Sequence, residues 1–309
     1  MAATNFEPMS IGQVLDGTFR IYKSNFVRFI AIVAIIQVPL GLFQIVSQSL
    51  LVSGMLSETQ EATPMVLPTD AGGMEGFKDS AGGKLPAYGE GDPYDNGGSG
   101  VNIGLVIGGI VGAIIAGLAF IFGTILCQAA LTKSISEHYL GNDISVGEAY
   151  KSVTPKIWTL MGAGILVSLV VFGGMMLLIV PGIIFSLWFA LTTPAIIAEN
   201  TKAKEAMGRS RELARGNLGK IFSVLFLTSI IAGIIGMIIS VPFAIFSRLA
   251  GPGVFSTVVS QIGSISGNIL AAPISAAAAI LLYYDLRIRK EGFDLEMLAN
   301  EIGDEQVNP

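Results

Sequence analysis

Six apolar runs leave this chain little choice of solvent. They cover about 28–52, 102–132, 157–180, 183–198, 218–246 and 255–284. All but the fourth reach the roughly 20 residues that an α-helix needs to cross about 30 Å of hydrocarbon. Only 13% of the 309 residues are charged and 52% are hydrophobic. Soluble domains carry about 25% charge, so too few polar side chains are present to cover a soluble fold. Inside hydrocarbon every backbone N–H and C=O needs a partner within the protein, and helices meet that need segment by segment. The expected fold is therefore an all-α integral membrane protein of six transmembrane helices, a single membrane domain over 1–309. The third and fourth runs are separated only by "VPG" at residues 180–182, which predicts a tight hairpin or a kinked pair. Residues 53–100 are polar and Gly-rich, with eight acidic residues and two lysines, and read as a solvated loop.

The cations choose an orientation. With both termini in the cytoplasm, fifteen of the eighteen lysines and arginines fall on cytoplasmic segments, and only Lys78, Lys84 and Arg248 fall outside. The positive-inside rule selects this N-in/C-in topology, with 53–100 extracytoplasmic and 286–309 a cytoplasmic tail. No cleavable signal peptide is visible: the first run follows Arg20, Lys23 and Arg28 and reads as an uncleaved anchor. At the other end, "LLYYDLRIRKEGFDLE" (residues 281–296) predicts Tyr283 and Tyr284 in an interfacial aromatic belt, with Arg287, Arg289 and Lys290 anchoring the span at the headgroups.

Three cytoplasmic segments share a pattern. Residues 11–27, 144–156 and 201–216 each show apolar positions at helical spacing: Ile11, Val14, Leu15, Thr18 and Tyr22; Val146, Ala149, Tyr150 and Val153; Ala203, Ala206, Met207, Ser210 and Leu213. Cations lie on the opposite faces. They read as amphipathic elbow helices lying in the interface. Asn25, Thr154 and Asn217 take the expected N-cap positions before the spans, with Pro155 following Thr154. An elbow, a cap and two spans, repeated three times, is the organising unit. Small residues at steps of four, Gly104, Gly108 and Gly112 in the second span and Gly263, Gly267, Ala271 and Ser275 in the sixth, let helices approach closely within the monomer or across a homo-oligomer seam.

Chemistry leaves little trace. The one histidine, His138, stands alone, so neither a metal site nor a serine or cysteine nucleophile with its base is expected, and no cofactor motif appears. Cys127, the only cysteine, lies in an apolar run and has no cysteine to pair with in the chain. A transport pathway would use polar residues within spans; the candidates are Gln37, Gln44 and Gln48 on one face of the first span, Thr193 in the fourth and Asn268 in the sixth. Glu199 and Asn200, closing the fourth span, stand where they can bond the cations of the third elbow.

Four stretches in order, "SIGQVLDGTFRIYKSNF", "SISEHYLGNDISVGEAY", "RSRELARGNLGKIF" and "LLYYDLRIRKEGFDLE", resemble the prokaryotic multi-pass proteins described as the glycerophosphodiester phosphodiesterase membrane domain, and related uncharacterised membrane families. The resemblance covers most of the chain except 53–100, which departs as an insertion. It implies a prokaryotic cell (inner) membrane location. It implies no phosphodiesterase activity here, because in the fusion proteins that name the family the chemistry resides in a separate soluble barrel with histidines and acidic metal ligands, and one His138 cannot supply them.

The function expected from these residues is a non-enzymatic scaffold or accessory subunit of a membrane complex, without cofactor, metal or nucleic acid. Its partners would be membrane lipids and other membrane proteins or a second copy. Arg209, Arg211, Arg215, Arg287, Arg289 and Lys290 would meet anionic headgroups or an acidic partner surface, and Phe293, Leu295, Leu298 and Ile302 would form an apolar docking stripe on the tail. The alternative is a small-molecule or lipid transporter with a wet mid-membrane cavity lined by Gln37, Gln44 and Thr193.

Overall fold

The computed structural model of the chain describes residues 8–61 and 103–292, with side chains over 8–49 and 117–292. In chain order, α1 is Ile11–Ser24, α2 Phe26–Glu61, α3 Ile103–Tyr139 and α4 Val146–Val153. A 3₁₀ turn, Thr154–Lys156, leads into α5 Ile157–Leu177. Then follow α6 Ile179–Phe189, α7 Thr192–Glu199, α8 Ala203–Ala214, α9 Leu218–Leu249 and α10 Val254–Glu291. Among the described residues six helical stretches are long and apolar enough to cross a membrane, and none is a strand. The exposed side chains along them are mainly apolar, as hydrocarbon rather than water requires of an outer surface.

α1, α4 and α8 are short helices that coincide with the three segments predicted as elbows, and the chemistry that starts them lies at their own N-termini. Ser10 accepts from the Gln13 amide at 3.3 Å while the Gln13 side chain accepts from the Ser10 amide at 2.6 Å. Ser145 and Glu148 repeat this capping box at α4, at 3.3 and 2.7 Å. At α8, Glu205 supplies the returning half, accepting from the Lys202 amide at 3.2 Å.

The caps expected before the spans are corrected accordingly. Asn25 is a one-residue joint between α1 and α2, and its side-chain amide turns to His138. Thr154 has helical backbone angles and its hydroxyl donates back to the Tyr150 carbonyl at 2.8 Å. Asn217 does precede α9, but its side chain makes no cap bond. Where one helix runs almost directly into the next, few orphan amides remain to be capped.

The apolar faces of the elbows pack on protein. Val14, Thr18 and Ile21 of α1, Ala149 and Val153 of α4, and Ala206, Ser210 and Leu213 of α8 are buried. Each elbow also sends one hydroxyl to a backbone carbonyl of another helix. Tyr22 donates to the Leu270 carbonyl at 3.1 Å, Tyr150 to the Ile32 carbonyl at 2.5 Å, and Ser210 to the Trp188 carbonyl at 2.7 Å. The last bond occupies a break: α6 stops at Phe189, α7 starts at Thr192, and the same Ser210 oxygen accepts from the Leu191 amide between them at 3.1 Å.

Small residues set two close contacts. A Cβ on Gly267 would stand 2.9 Å from the Gly236 carbonyl oxygen, and one on Gly263 would stand 2.5 Å from Phe243 Cβ, so the predicted ridge of the sixth span serves packing of α10 on α9. Ser275 lies off that contact and is exposed. At the other contact, a Cβ on Gly182 would reach 3.0 Å from the backbone of Met175, so α5 and α6 form a tight hairpin whose whole connection is Leu178. Gly104, Gly108 and Gly112 fall outside the described side chains.

Candidate functional site

About three turns of α10, just before its exposed last turn, are the most enclosed part of the described chain. From Ala276 to Leu286 nearly every side chain is buried, and Tyr283 and Tyr284 are 0% and 1% exposed. The aromatic-belt expectation is therefore wrong for these two residues. Elbows and helix ends close over them, and each finds a polar partner inside: Tyr283 donates to Glu199 at 2.6 Å, and the Tyr284 hydroxyl pairs with Ser136 at 2.7 Å. Tyr139 stacks on Tyr284 with centroids 5.0 Å apart.

Two ionic clusters flank the tyrosines. In the first, Asp285, fully buried, pairs with Lys220 of α9 and, at 3.1 Å, with Arg289 one turn on. It also accepts from the Met9 amide at 2.6 Å, while Lys220 and Arg289 donate to the Met9 carbonyl at 2.6 and 2.7 Å. Both backbone polar groups of one residue before α1, the Met9 N–H and C=O, are thus held by charged side chains.

In the second cluster, Arg209 of α8 lies between Glu199 at 2.9 Å and Glu291 at 2.5 Å. Arg287 pairs with Glu291 at 3.3 Å and approaches Glu199 at 3.8 Å. Burial works against the charge on Arg209, but hydrogen bonds to Glu291 and Glu199 outweigh it and hold the guanidinium above its ordinary value. Lys290 caps the end of α8, donating to the Glu212 and Arg215 carbonyls at 2.5 and 2.7 Å. The expected bond between Glu199 and the third elbow is present.

Of the six cations expected at the headgroups, four are thus engaged within the protein: Arg209, Arg287, Arg289 and Lys290. Arg211 and Arg215 are exposed, Arg211 with its guanidinium 4.7 Å from the Trp188 ring centroid. The tail residues Phe293, Leu295, Leu298 and Ile302 lie outside the described residues.

A third polar group joins α1, α2 and the α3–α4 connection. Arg28 pairs with Asp143 at 2.6 Å, and His138 bonds Asp143 through Nδ1 at 3.2 Å and Asn25 through Nε2 at 2.9 Å. Ser24 Oγ lies 3.4 Å from the same Nε2, so serine, histidine and aspartate do line up. The bonds describe a clasp, however. The Ser24 hydroxyl donates to the Ile21 carbonyl at 3.0 Å, Asn25 fills the Nε2 acceptor, and Asp143 is shared with Arg28. Hydrogen bonds from Arg28 and His138 hold the Asp143 carboxyl below its ordinary value.

The polar residues read as a pathway do not converge. Gln48 accepts from Gln261, Gln44 is exposed, Gln37 and Thr193 are half-buried on different helices, and Asn268 lines a cleft. That cleft, of about 340 Å³, lies between α9 and α10 and also presents Ser240, Ser264, Gly236 and Gly267. Among the described residues no group of three His, Cys, Asp or Glu side chains is placed to hold a metal ion.

The two ionic clusters and the tyrosines between them form a hub, and its residues Asp285, Lys220 and Glu291, like Ser210 at the α6–α7 break, carry readable signals in the sequence. Asp285 and Arg289, like Arg287 and Glu291, are spaced i,i+4 on one helix. Lys220 sits inside the start of an apolar run, where a charge needs a partner. Ser210 is a hydroxyl on an otherwise apolar elbow face.

No family model matches the chain, and comparison with curated proteins and with solved structures gives no match.

Proposed function

We infer that the chain is a polytopic scaffold or accessory subunit of the prokaryotic cell membrane, and that it organises lipids or other membrane proteins without catalysing a reaction. The observation that carries this is the hub itself. Its charges are spent on one another and on the Met9 backbone, tying the start of α1 and α7, α8, α9 and α10 into one plate. Exposed Arg211 and Arg215 lie on the plate and would meet anionic headgroups or an acidic partner. Fifteen cations sit on the elbows or the helix ends beside them, whereas Arg248 lies at the opposite end. By the positive-inside rule the plate faces the cytoplasm, with both termini on that side. Kinship with the glycerophosphodiester phosphodiesterase membrane domains belongs to the same proposal and rests on the sequence motifs.

Extraction of the full chain in its native lipids, followed by mass spectrometry of whatever co-purifies, tests the proposal. A stoichiometric membrane protein or an enriched anionic lipid is expected, and its loss in an Arg211→Gln/Arg215→Gln variant would assign the contact to the plate. Undiminished co-purification with that variant would remove the plate arginines from the proposal. A second reading, transport of a small molecule or lipid, is favoured by the α9–α10 cleft with Asn268 exposed in it. A solute enriched in the extract and displaced by Asn268→Leu would bring transport forward.

A further inference from the structure

The hairpin of α5 and α6 differs from the other described hairpin at its far end. The α9–α10 turn carries Arg248, Gly251 in the left-handed region and Pro252, chemistry suited to water. Between Ser168 and Ser186, by contrast, no residue has a polar side chain, and the turn at Leu178 lies midway along that stretch. Residues 175–180 form its tip, and all six are large, apolar and exposed, from 51% at Met175 to 77% at Leu177.

Length points the same way. Both hairpins start beside the elbows. α9 has 32 residues and α5 has 21, so at 1.5 Å per residue the α5 leg is about 31 Å long and stops about 17 Å short of α9. A leg of about 31 Å is used up by a hydrocarbon core of about 30 Å, with nothing left to carry the turn through the headgroups.

Two backbone bonds bridge the turn at the tip. The Leu178 amide donates to the Gly174 carbonyl at 3.1 Å and the Gly182 amide to the Leu178 carbonyl at 3.4 Å, which leaves the Ile179 and Val180 amides as the open donors at the start of α6. Pro181 removes one of the amides that the start of α6 would otherwise leave unbonded. Gly174 and Gly182 let the legs close on each other with no intervening loop.

We propose that the α5–α6 hairpin is re-entrant, its tip binding the acyl chains of the far leaflet and never entering the aqueous phase. The occupant is lipid because the tip continues the apolar outer surface of the two legs, and no side chain on it can meet a headgroup or a polar partner. Because the hairpin returns to the side it came from, the orientation of the elbows is unaffected.

The single cysteine makes the test direct. In a Cys127→Ala background of the full chain, Met176→Cys, Leu178→Cys and Val180→Cys are spin-labelled and reconstituted into phosphatidylglycerol/phosphatidylethanolamine vesicles. Relaxation by oxygen is then compared with relaxation by a water-soluble nickel chelate. The expected result is oxygen accessibility several-fold above nickel accessibility at all three positions. Nickel accessibility equal to or above that of oxygen would put the tip in water and overturn the proposal. Low accessibility to both reagents would also overturn it, in favour of a second copy or another protein covering the tip. The positions are exposed, so the substitutions leave the packing intact; monodisperse elution of each labelled protein checks this.

Discussion

Asp285 is where one side chain decides most. A carboxylate with no exposed surface is tolerable only because Lys220, Arg289 and the Met9 amide surround it. Such an arrangement need not add stability over an apolar replacement of the whole set, but removing one partner strands the others. Asp285→Ala should therefore cost about 3–5 kcal/mol, read as a lower unfolding temperature in detergent. Protection of the Met9 amide from hydrogen exchange should fall with it, because its acceptor is gone. Asp143 makes a pH prediction. Its folded pKa is depressed, so its contribution is complete above the unfolded value of about 4 and is lost as pH falls through the lower folded value. The clasp to Arg28 and His138 should hold at neutral pH and loosen only below about pH 4, visible as faster exchange of the Asn142 and Ser145 amides. The same residues show the limits of reading a sequence: the i,i+4 pairs on α10 were there to be seen, whereas Met9 and Asp285 meet across 276 positions and no local pattern announces that.

At the scale of elements, the elbows matter for what they plug. Ser210 holds both the Trp188 carbonyl and the Leu191 amide across the α6–α7 break. Ser210→Ala would leave a buried amide without its partner, a loss of about 1–3 kcal/mol. Ser210→Thr keeps the hydroxyl and should recover part of the loss if the added methyl is accommodated. Exchange at Leu191 separates a local opening of the break from general loosening. The three elbows are legible as helices from their periodicity, but the capping boxes of α1 and α4 stand at their own N-termini rather than before the spans. S-x-x-Q at Ser10 and S-x-x-E at Ser145 were visible signals; the joints after the elbows are nearly continuous helix and need no cap. The elbow faces were expected to rest on the interface, and instead pack on α10 and its neighbours, because the amphipathic pattern reports an apolar surface without saying what covers it.

For the whole molecule, burial is concentrated at the hub end, while the opposite ends of the rods expose Leu249, Met176 and other apolar side chains. If the hub is cytoplasmic, a fluorescent protein fused after Pro309 should fold and emit in intact prokaryotic cells, and an alkaline phosphatase fused there should stay inactive. The reverse pattern would refute N-in/C-in. Hydropathy and length by themselves determined that the chain is helical and suited to a membrane, with six long apolar segments and three short amphipathic ones, because each of these properties is written in consecutive residues. Only the tertiary structure decided how the cations at the end of α10 are used. Four of the six expected to meet headgroups are paired with groups of the same chain, since the choice between a lipid phosphate and a carboxylate or carbonyl of the protein depends on which helices come together, and that is a property of packing rather than of any one segment.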